Sequence, residues 1–374
     1  MRQKRGRKYN GRTLQLPFGA SMIRPSAALL AALLALLLLP ATALPADSYQ
    51  SQAVILQYHH ISSTTPRSTS VTADEFRQHM EYLRDNGFTV LPLQDIVQAL
   101  RQNMPLPDKA IAITFDDAYI SVYTTAFPLM RQFGWPFTVF VPSGLIGTNA
   151  RLYASWEQLR EMGRAGATLA NHSVTHPYFL ARNEGEDDGT WLARIEKQIL
   201  DSEAKILQET GQSHKLHAYP YGEYNLRIAA LVERLGYVGL AQHSGPINGA
   251  SDFLALPRFP FSGVYAPLSS FAPKAGSLAF NVRIVEPESP VTSLRSPSAI
   301  LDFSGSYRLD ALSCFNNDQT MTIAVVDAGA QQYRISTPVE NRGRRFRYNC
   351  TAPGRDGRFY WFSVPWFNPA IPDG

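Results

Sequence analysis

Two neighbouring carboxylates, Asp116 and Asp117, directly follow an apolar run at residues 110–115. Like charges held side by side in apolar surroundings repel, and one of them takes up a proton unless a cation lies between them. The pair therefore indicates a nearby metal ion, and His172 and His176 offer two imidazoles to complete its site. Each motif alone has a simpler explanation, because Asp-Asp pairs often lie in turns or helix caps and an H-x-x-x-H pair often lies on the surface.

Two further motifs supply the groups that a hydrolytic metal site needs besides its ligands. They are Tyr-His-His at residues 58–60 and Pro-Tyr-Gly at residues 220–222. One carboxylate and two imidazoles leave room on a divalent ion for water and a substrate oxygen, and the second carboxylate can accept the proton of that water. A histidine from another strand end can protonate a departing amine. Backbone N–H groups of the Pro-Tyr-Gly turn can stabilise an oxyanion.

The elements that position these motifs alternate between short apolar strands and amphipathic helices. Such alternation predicts a parallel sheet or barrel, in which the carboxyl ends of the strands meet on one face. All four motifs lie at predicted strand ends, which favours a single site. The predicted strands are 54–58, 88–91, 110–115, 137–141, 167–171, 215–219 and 237–241, and the predicted helices are 73–86, 93–103, 119–133, 155–165, 191–210 and 225–235.

Residues 1–46 have the pattern of a secretory signal peptide. Arg24 precedes an apolar run at 27–39, and small residues follow it, with Met22 as an alternative start. We therefore expect an exported protein, periplasmic or extracellular and associated with the cell envelope. An uncleaved leader that anchors the chain is the alternative, although the run is short for a membrane span.

The basic charge of the chain comes from this leader. The formal net charge is +4, and residues 1–46 carry seven Lys or Arg and no acid, so the remainder carries −3. The charge therefore gives no support for nucleic-acid binding.

The C-terminal part has a different pattern. Residues 47–264 form the predicted catalytic domain, 265–280 a linker, and 281–374 a small β-sandwich with alternating strand patterns. Cys314 and Cys350 lie in this last segment, and in an exported chain they predict a disulfide; two free buried thiols are the alternative. The aromatic tail fits the core of the sandwich or a surface that stacks on sugar rings.

Three of the motifs resemble those of the polysaccharide deacetylases with the NodB homology domain, carbohydrate esterase family 4. They are T-F-D-D at 114–117, H-S-x-x-H followed by Pro at 172–177, and P-Y-G at 220–222, and the likeness extends over residues 52–264. The resemblance implies a distorted (β/α) barrel that removes acetyl groups from N-acetylated sugars and releases acetate and an amine.

The resemblance also implies roles for individual residues. Asp116 would be the general base, and the Tyr221 backbone N–H would join the oxyanion hole. The metal ion would be zinc, with cobalt or nickel as alternatives. Its ligands would be Asp117, His172 and His176.

The sequence departs from the usual family pattern at two places. Most members begin the third motif with an Arg that pairs with the base, and Ala218 stands there in this chain; Arg258 is the candidate replacement. Most members also carry the acid histidine late in the chain. The early Tyr-His-His motif resembles the circularly permuted branch, which includes the poly-β-1,6-N-acetylglucosamine deacetylases of biofilm systems, and there the acid maps to His59. His243 is the rival for this role.

The other histidines are weaker candidates for a catalytic role. His60 should point away from His59 because strand side chains alternate faces. His79 falls on a predicted helix and is expected to be solvated, while His214 and His217 flank a predicted strand.

The sequence thus predicts an exported, metal-dependent N-deacetylase of a GlcNAc-containing polysaccharide. Deacetylation of peptidoglycan or chitin-type oligomers, or O-deacetylation, are alternatives within the same chemistry. From a different class comes a non-catalytic glycan-binding envelope protein. Loss of function should erase Asp116 or a metal ligand first, and all of these residues are present, which disfavours that reading.

Overall fold

The computed structural model describes residue 11 and residues 51–372. The predicted signal peptide at 1–46, with its alternative start at Met22, lies outside the described residues apart from residue 11. The described residues from 51 onward belong to one compact unit. None of the helices in this part of the chain is long and apolar enough to cross a membrane.

The N-terminal part is built on a mixed α/β sheet that curls into a half barrel, so the predicted alternation of strands and helices is confirmed. Nine strands form this sheet among the described residues, in the order β10-β1-β5-β6-β7-β8-β9, with β11 beside β1 and β4 beside β5. All neighbours are parallel except β1 and β10. The strands are β1 Gln52–Tyr58, β4 Thr89–Val90, β5 Ala110–Phe115, β6 Thr138–Val141, β7 Thr168–Asn171, β8 Leu216–Ala218, β9 Val238–Leu240, β10 Ile247–Asn248 and β11 Phe259–Pro260; β2 His60–Ile61 and β3 Ser70–Val71 pair separately.

Helices cover the sheet, and their first turns follow the capping signals in the sequence. Thr72 and Glu75 form a capping box at the first helix, and Ser155 and Gln158 form another at the fourth. The segment predicted as one helix over 119–133 instead combines a π-helical turn, Val122–Ala126, with a short α-helix. The α-helices are α1 Ala73–Asp85, α2 Leu93–Arg101, α3 Phe127–Phe133, α4 Trp156–Arg164, α5 Asp188–Thr210, α6 Leu226–Arg234 and α7 Leu268–Ala275.

The central strand β5 is buried on both faces, and this explains why its sequence is a continuous apolar run. Ile111, Ile113 and Phe115 pack into one core cluster, while Ala110 and Ala112 pack into a second one on the opposite face. Strand side chains alternate faces, so a strand covered by structure on both sides must be apolar throughout. The two carboxylates, Asp116 and Asp117, follow immediately at the carboxyl end of this buried strand.

The segment predicted as a linker, 265–280, is not an irregular connection. It contains helix α7, whose Phe271 and Ala275 are buried in the same core cluster as strand β5. The Pro, Ser and Gly residues of the segment indicate a loop, yet Phe271 and Ala275 lie four residues apart and so share one face of a helix.

Two further sheets follow in the C-terminal part of the chain. Their inner residues share one core cluster that includes Leu301, Ile335, Tyr348 and Trp366. Cys314 and Cys350 face each other on neighbouring strands and form a disulfide. The first sheet has the order β12 Leu278–Ala279, β20 Phe359–Phe367, β19 Arg345–Pro353, β15 Ser313–Asn316 and β16 Gln319–Thr320, and the second has the order β13 Val282–Glu286, β14 Ala299–Phe303, β18 Gln332–Ser336 and β17 Thr322–Asp327.

Candidate active site

Asp116 follows β5 directly and is held in place by three side-chain hydrogen bonds. Arg258 donates to both carboxylate oxygens, with Nη1–Oδ1 and Nη2–Oδ2 distances of 2.7 and 2.8 Å, and Gln57 Nε2 donates to Oδ2 at 2.6 Å. Asp116, Arg258 and Gln57 are all fully buried. A bidentate guanidinium–carboxylate pair fixes both the position and the plane of the carboxylate.

The surroundings of Asp116 keep its carboxylate ionised. Burial raises the pKa of this carboxyl, but the charge and hydrogen bonds of Arg258 oppose this, and the net pKa lies below the ordinary value. The ion pair and the hydrogen bonds therefore leave Asp116 able to accept a proton at neutral pH.

Arg258, the candidate replacement for the third-motif arginine, pairs with Asp116. It comes from the segment just before β11, and its Nε donates to the carbonyl of Ala241 at 2.9 Å. Ala218, which stands in the third motif, is fully buried at the end of β8. The guanidinium thus reaches Asp116 from a different part of the sheet.

Asp117, His172 and His176 form one cluster in which the candidate ligand atoms all lie within 4.8 Å of one another. The Nε2 atoms of His172 and His176 lie 3.4 and 3.3 Å from Asp117 Oδ1. His172 Nδ1 donates to the carbonyl of Ala218 at 2.7 Å, which leaves the buried Nε2 atom as a bare acceptor without a hydrogen-bond partner among the described residues. An orphaned imidazole nitrogen beside a carboxylate fits a divalent metal ion.

The loops that carry these ligands adopt unusual backbone conformations. Asp117, Ser173, His176 and Tyr221 all have positive φ angles, between 55° and 68°. Non-glycine residues in this region are uncommon and tend to cluster at functional sites. Within the H-S-x-x-H loop, Ser173 Oγ accepts a hydrogen bond from the backbone N–H of His176 at 3.1 Å, which turns the second histidine back toward the first.

His59 follows β1 and lies in the same site as the two carboxylates. Its charge lowers the pKa of both Asp116 and Asp117. His243, the rival candidate for the acid, is not among the main groups that shift the pKa of either carboxylate. Burial, together with the charges of Arg347 and Arg258, lowers the pKa of His243 to about 3.

The remaining histidines have structural partners. His60 is buried, and its ring stacks on Tyr119 with a centroid distance of 3.6 Å. His214 Nε2 lies 3.0 Å from Gln212 Oε1, and His217, buried within β8, contacts the side chain of Asn171.

The prediction that His79 is solvated is wrong, because this residue is fully buried on the inner face of α1. Its Nε2 donates to the carbonyl of Ala266 at 2.7 Å, so its Nδ1 accepts from the hydroxyl of Tyr58 at 2.9 Å. The spacing of Phe76, His79, Met80 and Leu83 along the helix is that of a buried stripe and could have revealed this.

Tyr221 lies in the 3₁₀ turn Pro220–Gly222, between the metal-site cluster and the C-terminal sheets. Its ring packs edge-on against His176, with a centroid distance of 4.4 Å, and stacks on Tyr178 at 3.9 Å. The guanidinium of Arg345, on β19, lies 5.1 Å from the centre of the Tyr221 ring. The C-terminal part of the chain therefore contacts the residues that surround the site.

Several residues of the site are not among the sequence predictions. Gln57 lies two positions before His59, and this spacing could have indicated that both side chains face the same pocket. Tyr119 lies near Asp117, and burial together with the charge of Asp117 raises the pKa of its hydroxyl. Tyr178 and Arg345 flank Tyr221. No local pattern marks Arg345, because it lies more than a hundred residues after the turn that it covers.

Sequence comparisons agree with this geometry. The family model described as polysaccharide deacetylase matches residues 103–240. The Bacillus subtilis protein named "Putative polysaccharide deacetylase YxkH" is 30% identical over 205 residues, which cover 54% of this chain and 69% of that protein. Poly-beta-1,6-N-acetyl-D-glucosamine N-deacetylase of Escherichia coli K12 is 26% identical over 241 residues, which cover 55% of this chain and only 36% of the relative.

Solved structures show the same fold. Deacetylase PplD of Streptococcus pyogenes, in complex with acetate, aligns with a TM-score of 0.54 and 24% identity, covering 60% of this chain and 99% of that one. IcaB from Ammonifex degensii aligns with a TM-score of 0.53 and 23% identity, covering 61% of this chain and 98% of that one. With this fold, the matching family model and the likeness to more than two thirds of YxkH, the chain belongs to the polysaccharide deacetylase family of hydrolases.

Proposed function

We propose that this protein is an exported, metal-dependent N-deacetylase that hydrolyses the acetamido groups of a GlcNAc-containing polysaccharide to acetate and free amine. One observation carries the proposal: the Asp116–Arg258 pair, the cluster of Asp117, His172 and His176, and His59 all meet at the carboxyl ends of neighbouring strands. The names of the relatives from Escherichia coli and Staphylococcus aureus favour a poly-β-1,6-N-acetylglucosamine substrate.

The residues present fit a divalent metal ion. Asp117, His172 and His176 would hold it, and two imidazole nitrogens with one carboxylate oxygen suit zinc, with cobalt or nickel as alternatives. A metal ion at this position would polarise the acetyl carbonyl and increase the acidity of a bound water.

The chain's own residues supply the proton transfers. Asp116, kept ionised by Arg258, accepts the proton of the attacking water, and the hydrogen bonds from Arg258 and Gln57 hold its oxygens in place. His59 donates a proton to the nitrogen of the departing amine as the C–N bond breaks. The backbone N–H of Tyr221 stabilises the negative charge that develops on the acetyl oxygen.

The remaining segments follow from the same proposal. Residues 47–264 form the deacetylase domain, and residues 281–374 form an accessory β-sandwich that braces the barrel or contacts glycan. The leader at 1–46 would direct export to the periplasm or the cell envelope. A disulfide between Cys314 and Cys350 supports export, since disulfides persist in oxidising compartments.

Release of acetate tests the function directly. The protein without its leader is incubated with oligomers of β-1,6-linked GlcNAc, chitin oligomers, peptidoglycan and an O-acetylated glycan, and acetate is measured in each case. We expect release from the N-acetylated GlcNAc oligomers and none from the O-acetylated glycan. Binding of these glycans without any release of acetate would instead support the non-catalytic alternative.

Metal removal is the second part of the test. A strong chelator should abolish acetate release, and added zinc, cobalt or nickel should restore it. Elemental analysis of the purified protein should find one divalent ion per chain, and the Asp117→Ala variant should lose it. Full activity in chelator, with no metal detected, would contradict the proposal.

A further inference from the structure

A cavity of about 250 Å³ lies directly beside the proposed reaction site, between the barrel and the first C-terminal sheet. Tyr221 and Gln242 line it from the barrel, while Arg345 and Arg347 line it from β19. Tyr221 also packs against the candidate metal ligand His176. A substituent in this cavity would therefore belong to a sugar next to the one that loses its acetyl group.

The cavity wall carries more positive than negative charge. Its described lining residues include two guanidinium groups and no carboxylate. Arg345 Nη1 does contact Glu223 Oε1 at 3.1 Å, but Arg344 Nη2 binds the other oxygen of the same carboxylate at 2.8 Å. The carboxylate of Glu223 is therefore shared by Arg344 and Arg345.

Arg347 adds a further charge without any compensation in the described part of the chain. Among residues 51–372 no carboxylate lies within ion-pair distance of its guanidinium, and burial lowers its pKa, opposed only by Tyr265. Lys274 lies close by, since burial and the charge of Arg347 together lower the pKa of this lysine to about 8. The charge of Arg347 also lowers the pKa of His243, another residue of the cavity wall.

A partly buried guanidinium without an acidic partner is costly for a folded protein unless something else completes it. The planar fork of an arginine matches a carboxylate, which can accept two parallel hydrogen bonds. A glucosamine unit in the cavity would instead bring an ammonium group, and its positive charge would be repelled by the guanidinium of Arg347. The charge of the cavity wall thus favours a neighbouring sugar with a carboxylate over a deacetylated glucosamine unit with an ammonium group.

We propose that this cavity is a subsite in which Arg347 binds the carboxylate of an acidic sugar or acidic substituent adjacent to the N-acetylated sugar. The inference rests on the proposed function, because it assigns the substrate class of the same site. It implies that the polysaccharide carries carboxylates near its acetamido groups, so the preferred substrate would differ from the unsubstituted β-1,6-linked GlcNAc polymer that the names of the relatives favour.

The test uses three oligosaccharides of equal length: a neutral GlcNAc oligomer, an oligomer of alternating GlcNAc and uronic acid, and a GlcNAc oligomer carrying sulfate esters. Acetate release is measured for the wild type, for Arg347→Gln and for Arg334→Gln, whose arginine is exposed on β18. We expect the wild-type kcat/KM to be on the order of tenfold higher for the uronic-acid oligomer than for the neutral one, as suits a charge-assisted hydrogen bond.

The variants decide whether Arg347 provides this preference. Arg347→Gln should remove it through a higher KM for the uronic-acid oligomer, with kcat unchanged and the neutral oligomer affected less than about twofold. Arg347→Lys should restore part of the preference, and Arg334→Gln should behave as the wild type does. An equal loss on all three oligomers would show that Arg347 is only structural, and a stronger preference for the sulfated oligomer would overturn the assignment to a carboxylate.

Equilibrium binding separates this inference from the proposed function. Calorimetric titration of the metal-free protein with the uronic-acid oligomer should show binding to the wild type and at least about tenfold weaker binding to Arg347→Gln. If no oligomer releases acetate but this difference in binding is found, the proposed function fails and the subsite stands. If the neutral oligomer is deacetylated but the wild type shows no preference in binding or rate, the subsite is refuted.

Discussion

Asp116 combines two properties that a general base needs, a fixed position and an ionised carboxylate. Both depend on Arg258, which is separated from Asp116 by 142 residues in the chain and supplies two hydrogen bonds to it. The arginine also donates to the carbonyl of Ala241, so its own position is fixed. The residue that controls the base is therefore anchored to the carboxyl end of β9.

Replacement of Asp116 by asparagine should remove the base without removing a metal ligand. We expect turnover to fall by about 10²–10⁴-fold, which is typical for the loss of a positioned base. The buried Arg258 would lose its charged partner, so the free energy of unfolding should fall by about 3–5 kcal/mol. Single-turnover acetate release, metal analysis and denaturant unfolding measure the three quantities. Activity close to the wild type would place Asp116 outside the reaction.

The acid can be identified by comparing His59→Ala with His243→Ala on the same N-acetylated oligomer. His59 is among the main charges that act on both carboxylates of the site, whereas His243 is not, and the charges nearest to His243 are those of Arg347 and Arg258. We expect His59→Ala to lose most amide hydrolysis, to keep its metal and to retain more activity on an activated ester, whose leaving group needs no proton. If His243→Ala is the inactive variant, the acid has been assigned to the wrong strand.

At the scale of residues, the sequence indicates those groups that lie in short motifs at strand ends. The structure brings Asp117, His172 and His176 together and places Arg258 on Asp116, which the departure at Ala218 had suggested. Gln57 and His79 were missed for a common reason. Both are polar residues on buried faces, and their partners come from elements that only the folded chain brings near.

The turn Pro220–Gly222 is the element through which the C-terminal part reaches the site. Tyr221 within it has a φ of 58°, and Glu223, the first residue after the turn, is fully buried. Arg344 on the segment before β19 donates to both oxygens of Glu223 from Nε and Nη2, at 2.5 and 2.8 Å. This ion pair holds the turn against the first C-terminal sheet.

Glu223→Gln should therefore disturb both stability and catalysis. Removing one partner of a buried ion pair leaves an uncompensated charge and typically costs about 3–5 kcal/mol. We expect a lower melting temperature and a reduced kcat with metal binding retained, because Tyr221 would lose the support of its turn. Asp302→Asn is the matched control, since its partner Arg283 is largely exposed and the pair should contribute less than about 1 kcal/mol. Equal effects of the two substitutions would contradict the role of this ion pair.

Elements whose sequence shows one clear period could be predicted, and others could not. Strand β5 and helices α1 and α4 have apolar runs or capping residues that leave little ambiguity. Helix α7 was assigned to a linker because Pro273 lies inside it and serine and glycine surround it. Phe271 on its apolar face packs into the barrel core, and this contact stabilises the helix. The contact joins distant parts of the chain, so the local sequence does not indicate it.

At the scale of the whole molecule, several histidines in the described part of the chain lie in surroundings that favour the neutral imidazole, and this makes the stability depend on pH. Burial lowers the pKa of His79 to about 4, and burial with nearby charge lowers the pKa values of His217 and His243 to about 3. In the unfolded chain each imidazole has a pKa of about 6.5. The unfolded state therefore binds more protons below that pH, and folding loses stability there.

We expect the free energy of unfolding to change little between pH 7.5 and about 6.5 and to fall as the pH decreases toward 4, by up to about 1.4 kcal/mol per pH unit for each of these histidines. Denaturant unfolding at several pH values between 7.5 and 4.5 measures the slope. His79→Gln keeps one donor and one acceptor toward Ala266 and Tyr58 but cannot be protonated, so its slope should be shallower even if its stability at pH 7.5 is lower. His214→Gln is the control, because His214 is only half-buried and should change the slope less. Identical slopes for the wild type and His79→Gln would show that His79 is not the group whose protonation destabilises the fold.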